Sequence, residues 1–233
     1  MSISLCPKEV FKINLFLIFL LLTANILGIV SKFYFDHDSV YGLVGLFDFN
    51  TEKNIPTFYS AIALLVASIL LSLIAFARKK VNSPFIQWFV LSLIFLFLSI
   101  DEISTIHERA IRPTKEALNA SGLFYFAWII PYGIALGVFI IAYSKFLFKL
   151  PKNIMILFLI SGTTFISGAI GIEMFEGRHA ELHGTNNITF ALFYSSEEFL
   201  EMIGIAIFIY TLLTYIVNEF DSLKITIVKK QIE

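Results

Sequence analysis

Six long apolar runs, separated by short polar segments, set the pattern of this chain. A helix that crosses a bilayer needs about 20 largely apolar residues. Such runs fall at 13–33, 58–77, 84–103, 123–143, 154–174 and 190–217. The pattern predicts an all-α fold, a polytopic integral membrane bundle of six transmembrane helices in one domain over 1–233, with a short basic tail at 218–233. The first run, "INLFLIFLLLTANILGIV", is longer than a signal-peptide core and lacks a small-x-small cleavage site, so it reads as a retained span. Ser83 is placed to cap the third span, with Pro84 in the first turn, where a missing N–H loses nothing. Pro131 falls inside the fourth span and is expected to kink it. Ser161, Gly162, Gly168 and Gly171 in the fifth form a small-residue surface suited to close helix packing.

Composition agrees with the pattern: 58% of residues are hydrophobic and 15% charged, which leaves too little polar material to cover a soluble core. The net charge of -1 offers no basic field for nucleic acid. Cys6 is the single cysteine, so no intrachain disulfide forms. Orientation follows from the basic residues. With the N-terminus inside, the cytoplasmic segments hold Lys8, Lys12, Arg78, Lys79, Lys80, Lys145, Lys149, Lys152, Lys224, Lys229 and Lys230, eleven of the seventeen. The other side holds Lys32, Lys53, Arg109, Arg112, Lys115 and Arg178. The bias predicts both termini in the cytoplasm and longer outer segments at 34–57, 104–122 and 175–189. The first of these carries an aromatic, glycine-rich piece expected to lie in the headgroup layer or dip as a partial re-entrant. Trp88 and Trp128 read as interfacial or lipid-facing anchors.

Acids and histidines change the picture, because they gather at one end. Span three ends "FLFLSIDEISTIHERAI", span five ends "GAIGIEMFEGRHAELHG", and span six begins "NNITFALFYSSEEFLEMIG". Two of these spans run outward and one returns, so all three clusters fall on the non-cytoplasmic side. At 1.5 Å per residue, Asp101, Glu102, Glu173, Glu197 and Glu201 share a level roughly 24–30 Å from the cytoplasmic edge. His107, Glu108, Glu176 and His179 form a layer slightly above. Helical phase sorts them into three lines: Asp101 with Ser104 or Thr105 and Glu108; Glu176 with His179 and His183; and Glu197 with Glu201 and Gly204, Glu198 standing three residues before Glu201. The second line needs a helix running through Gly177. Gly204 leaves room for a neighbouring helix or an acyl chain.

Carboxylates crowded at one depth repel each other, and each Asp or Lys at a bilayer centre costs about 2.5–3.5 kcal/mol on insertion scales. Bound cations would offset that. The pool of ligands and supporting groups is Asp101, Glu102, His107, Glu108, Glu173, Glu176, His179, His183, Glu197, Glu198 and Glu201. Its oxygen-rich, histidine-poor make-up suits two iron or manganese ions, an oxidising or desaturating centre for a lipid or other apolar substrate. The alternative is one zinc held by His107, His179 and His183, with Asp101 or Glu176 activating water for hydrolysis. In the plainest reading, Arg109, Arg112 and Arg178 pair with these acids as interfacial salt bridges. Glu52, Glu116 and Glu181 read as solvated, and His37 as a loop histidine. Two further classes stay open: a cation- or proton-coupled transporter using the same acids, and a non-catalytic scaffold or accessory subunit. No phosphate loop, serine-hydrolase elbow, His-Glu-x-x-His or haem-attachment motif occurs. The partners this implies are membrane lipids and an apolar small molecule. In a bacterium the location is the plasma (inner) membrane.

Two short pieces resemble known patterns. Asp101, Ser104-x-x-His107 and His179-x-x-x-His183 look like the zinc-binding pattern of the alkaline ceramidase and progestin-receptor-like membrane hydrolases, which implies a zinc amide-hydrolase. That family has seven helices with its paired histidines in the last, whereas here they follow the fifth of six. Glu176-x-x-His179 is similar to half of a ferritin-type diiron pattern, without a second Glu-x-x-His.

Overall fold

A computed structural model describes residues 6–220, all of whose regular structure is helical. The tail lysines Lys224, Lys229 and Lys230 lie outside the described residues. Six helices are long and apolar enough to cross a membrane: α1 (Pro7–Phe35), α3 (Ile55–Lys80), α4 (Ile86–Ser104), α6 (Ile129–Leu147), a composite helix Lys152–His183, and α9 (Ile188–Glu219). The composite helix consists of α7 (Lys152–Ile166), a π-helical segment (Ser167–Ile172) and α8 (Glu173–His183). Two shorter helices, α2 (Leu43–Phe47) and α5 (Ile106–Leu118), lie between the long ones.

Helix α9 is the axis of the bundle: α1, α3, α7 and α8 all pack on it. Without a hydrophobic difference between lipid and protein interior, close packing and hydrogen bonds must hold such helices together. Two glycines permit that closeness between α7 and α9. A Cβ on Gly204 would sit 2.7 Å from Phe165 N, and one on Gly168 would sit 2.6 Å from Glu197 O. Gly204 therefore admits the α7 backbone. Gly162 has nothing within 4 Å, and the nearest atom at Gly171 is Ile166 O at 3.9 Å. The expected small-residue face thus narrows to Gly168 and the buried Ser161. The π-helical segment shifts the phase of the composite helix, so a stripe drawn at 3.6 residues per turn does not continue through it.

Several local expectations are corrected. Phe85, not Ser83, is the residue before α4, and no side chain caps its start. Pro131 lies in the first turn of α6, where its absent N–H breaks no helical bond, so no kink is needed. Span four starts at Ile129 rather than 123 because a 3₁₀ turn over Gly122–Phe124 precedes it. The aromatic piece between the first two spans forms α2, which packs on α1 so that a Cβ added to Gly28 would lie 3.5 Å from Val44 Cγ1. Trp88 and Trp128 are buried, at 1% and 7% exposure, and not lipid-facing. Large exposed side chains such as Phe16, Phe58, Ile141 and Leu192 instead present the apolar exterior that a membrane-embedded protein offers to lipid.

Candidate metal centre

The α4–α5 junction builds the first part of the site. Thr105 adopts a left-handed conformation (φ 52°), which ends α4 and turns the chain before α5 begins. The turn folds His107 back onto Asp101. Asp101 Oδ1 accepts from the His107 backbone N–H at 2.8 Å and contacts His107 Nδ1 at 3.3 Å, while Tyr132 O–H donates to Oδ2 at 2.9 Å. Both oxygens of this buried carboxylate are thereby occupied. Asp101 acts as a cap for α5 and an orienter for the imidazole, the arrangement by which carboxylates fix metal-binding histidines. With Nδ1 turned to Asp101, Nε2 is the nitrogen free for a ligand. The continuous line from Asp101 to Glu108 foreseen along one helix does not exist, because the helix breaks between them.

Glu52 completes this part. It precedes α3, whose start is fixed by Asn54 accepting from Thr57 N at 3.1 Å, and its Oε2 accepts from Thr57 O–H at 3.3 Å. Ligand atoms of Glu52, His107 and Glu108 all lie within 4.8 Å of one another, a group able in principle to chelate a metal ion. Burial pushes the Glu52 carboxyl above its usual range and Glu108 and Asp101 add to this, against His107 and Thr57. Burial disfavours the His107 imidazolium, yet the Asp101 hydrogen bond and charge, with Glu52 and Glu108, outweigh it and raise its pKa. Reading Glu52 as simply solvated was therefore an error. Its place beside the start of α3, on the same side as the other acids, was the available signal.

Further acids close in from α8 and α9. Glu197 is in hydrogen-bond reach of Glu173 and Glu176, and Trp128 N–H donates to Glu173 Oε1 at 2.6 Å. Glu198 and Glu201 lie within electrostatic reach of one another and of Glu52 and Glu173. Glu102 faces Glu198, Glu52 and Asp101. Of the expected residues, nine therefore converge: Asp101, Glu102, His107, Glu108, Glu173, Glu176, Glu197, Glu198 and Glu201. Trp128 packs against His107 with ring centroids 5.0 Å apart, so it borders both parts.

His179 and His183 stand apart from this convergence. α8 does run through Gly177, where Phe126 and Tyr125 press on the missing side chain. Glu176 points inward on it, but His179 Nε2 meets Asn187 Oδ1 at 2.8 Å, in the turn that caps α9. His183 lies beside His179, with ring centroids 4.9 Å apart. Glu181 accepts from Gly122 N at 2.6 Å and pins the 3₁₀ turn, so it is not merely solvated.

Charge compensation is absent where it was expected. Among the described residues the ion pairs are Lys12–Glu9, His107–Asp101 and Arg112–Glu116. Among the described residues no lysine or arginine, Arg109, Arg112 and Arg178 included, pairs with the converging acids, so the salt-bridge account of the cluster does not hold. Among the described residues three buried side-chain oxygens lack a hydrogen-bond partner: Ser60 Oγ, Thr214 Oγ1 and Glu176 Oε2. A hydroxyl can rotate toward a carbonyl, but an ionised carboxylate has nothing to donate.

No curated protein and no solved structure matches this chain. A family model matches it over residues 14–216, which includes every residue of the acidic convergence. The chain belongs to that family, described as a domain of unknown function, DUF8692.

Proposed function

We propose that this protein is a membrane-embedded metalloprotein whose centre, near the non-cytoplasmic face, acts on a lipid or other apolar substrate. The observation that carries the reading is the Glu52, His107 and Glu108 group, with ligand atoms within 4.8 Å and the imidazole oriented by Asp101. Two carboxylates and one imidazole form an oxygen-rich set that fits iron or manganese, with zinc as the alternative metal. In this reading Glu52, Glu108 and His107 Nε2 hold the ion. Asp101 and Tyr132 fix the ring, and Glu102, Glu198 and Glu201 supply further charge from below. A bound ion would contribute Lewis acidity or redox capacity.

The orientation rests on the basic residues: both termini inside, the acidic end outside, and in a bacterium the plasma (inner) membrane as the location. Substrate class follows from the surroundings. Ile103, Ile106 and Phe175, which adjoin Glu102, His107 and Glu176 in sequence, are 48%, 37% and 57% exposed and would offer an apolar substrate a surface beside the site. The His179 and His183 pair does not join His107, so a three-histidine zinc site finds no support in the geometry.

The test is elemental analysis of detergent-purified protein made without a metal-binding tag, comparing wild type with the E52Q/H107A/E108Q variant. Stoichiometric iron or manganese that disappears in the variant supports the reading and directs assays toward oxidation. Zinc lost in the same way directs them toward hydrolysis. Equal or negligible metal in both proteins rules the reading out.

A further inference from the structure

Beside the Glu52, His107 and Glu108 group lies a more buried set of carboxyls that the first ion cannot satisfy. Glu173 and Glu176 stand three residues apart on one face of α8, and Glu197 reaches both from α9. Trp128 N–H donates to Glu173 Oε1 at 2.6 Å and holds that side chain in place. Glu176 is 6% exposed, and its Oε2 has no hydrogen-bond partner. Two ionised carboxylates facing each other away from bulk water repel, and among the described residues no lysine or arginine pairs with any of the three.

Backbone geometry delivers these groups to one place. The π-helical segment Ser167–Ile172 ends at Glu173, and π-bulges recur at functional sites because they re-aim the side chains that follow. Gly168 within it lets α7 approach so closely that an added Cβ would lie 2.6 Å from Glu197 O and 3.1 Å from Glu201 Cγ. The chain thus brings α9 close to its neighbour at the level of its acids.

We infer that Glu173, Glu176 and Glu197 form a second and deeper seat for a hard divalent cation. A shared proton would satisfy one facing pair and leave the third carboxyl and Glu176 Oε2 uncompensated, whereas a cation takes an oxygen from each helix. The donors are all carboxylate oxygens, without sulfur or imidazole, so the class is Mn2+, Mg2+ or Ca2+ rather than zinc or copper. This seat rests on the proposed function only for the idea that cations offset the acids; its residues are different.

The test titrates the full-length protein in detergent with Mn2+ alone, counting free ion by electron paramagnetic resonance. Wild type is expected to bind about two Mn2+ per chain, and about one in E176Q. The H107A/E108Q variant should also keep about one. E197Q, on the facing helix, repeats the loss and stands in for E176Q if that variant does not purify folded; if neither folds, the ion kept by H107A/E108Q decides. An H107A/E108Q variant that binds none overturns the deep seat, as does an E176Q variant that binds as much as wild type. A single wild-type ion lost in E176Q but kept in H107A/E108Q supports the deep seat and overturns the upper one. No Mn2+ bound by wild type overturns both.

Discussion

The two ends of this bundle handle polar groups in opposite ways. At the end that holds Arg78, the side chains of Trp88, Leu71, Ile74 and Tyr215 are almost fully buried, with Trp88 tilted over Tyr215 at 4.6 Å and edge-on to Phe146 at 5.1 Å. Polar groups there find neutral or local partners: Ser68 O–H donates to Ser92 O at 2.7 Å, Tyr143 O–H to Gln87 O at 3.0 Å, and Arg78 donates to the Tyr215 hydroxyl. The opposite end gathers carboxylates from α4, α5, α8, α9 and the segment before α3 and, among the described residues, gives the buried ones no lysine or arginine partner. One end is arranged for packing, the other for ligands. That contrast also bears on transport, since Trp88, Leu71 and Leu212 are fully buried in one packed apolar cluster that offers no ionisable side chain. A one-sided site fits this arrangement better than a conducting route.

Replacing His107 by Ala removes the one imidazole of the upper group and should weaken its metal binding by more than the 10–100-fold typical of supporting residues, roughly abolishing it at micromolar metal. Equilibrium dialysis reads this directly, and unchanged affinity would detach His107 from the site. D101N keeps shape and removes the charge that orients the ring, so a loss of about 10–100-fold is expected, and Y132F should fall at or below the lower end of that range. If D101N binds normally, Asp101 is only a helix cap.

Packing comes next. G168A must push α7 from α9, because the added carbon would meet Glu197 O at 2.6 Å; a destabilisation of about 1–3 kcal/mol follows, seen as a lower Tm together with weaker metal binding. Y215F, at the end away from the acids, loses one hydrogen bond from Arg78 and should cost only about 1 kcal/mol while leaving metal content untouched. A Y215F variant that lost metal would break the separation between the two ends.

A smaller effect is expected from pH. The folded pKa of His107 is raised above the ordinary 6.5, so its pairing with Asp101 contributes stability that is fully present below 6.5 and fades as pH rises through the raised value. In metal-free protein Tm should therefore decline slightly across that window. With metal the trend reverses, since the ion competes with the proton for Nε2 and gains as pH rises. Melting curves with and without metal should cross over pH in this way; parallel curves would argue against an imidazole ligand.

Much of this was legible in the sequence because hydropathy and topology are long-range signals that need no side-chain detail. Six apolar runs fixed the helices, and the alternation of direction brought Asp101, Glu102, Glu173, Glu197 and Glu201 to one end. What failed depended on local backbone departures. Thr105 in a left-handed conformation has no sequence mark, since threonine seldom adopts it, and it broke the line from Asp101 to Glu108 while creating the Asp101–His107 contact. The π-helical segment shifted the register ahead of Glu173 and separated Gly168 from Gly162 and Gly171 in function. Glu176 and His179 share a helix at favourable spacing, yet Asn187 at the α9 start takes the histidine. Glu52 went unrecognised because an acid in a loop looks solvated until the loop is seen to fold over the bundle.

The most direct test of the account is an X-ray absorption spectrum at the K-edge of whatever metal copurifies with the wild-type protein, repeated on H107A. The account predicts a first shell of oxygen with an imidazole contribution that vanishes in H107A while the carboxylate shell of the deeper seat persists. A sulfur-containing shell, or an imidazole signal unchanged in H107A, would contradict it.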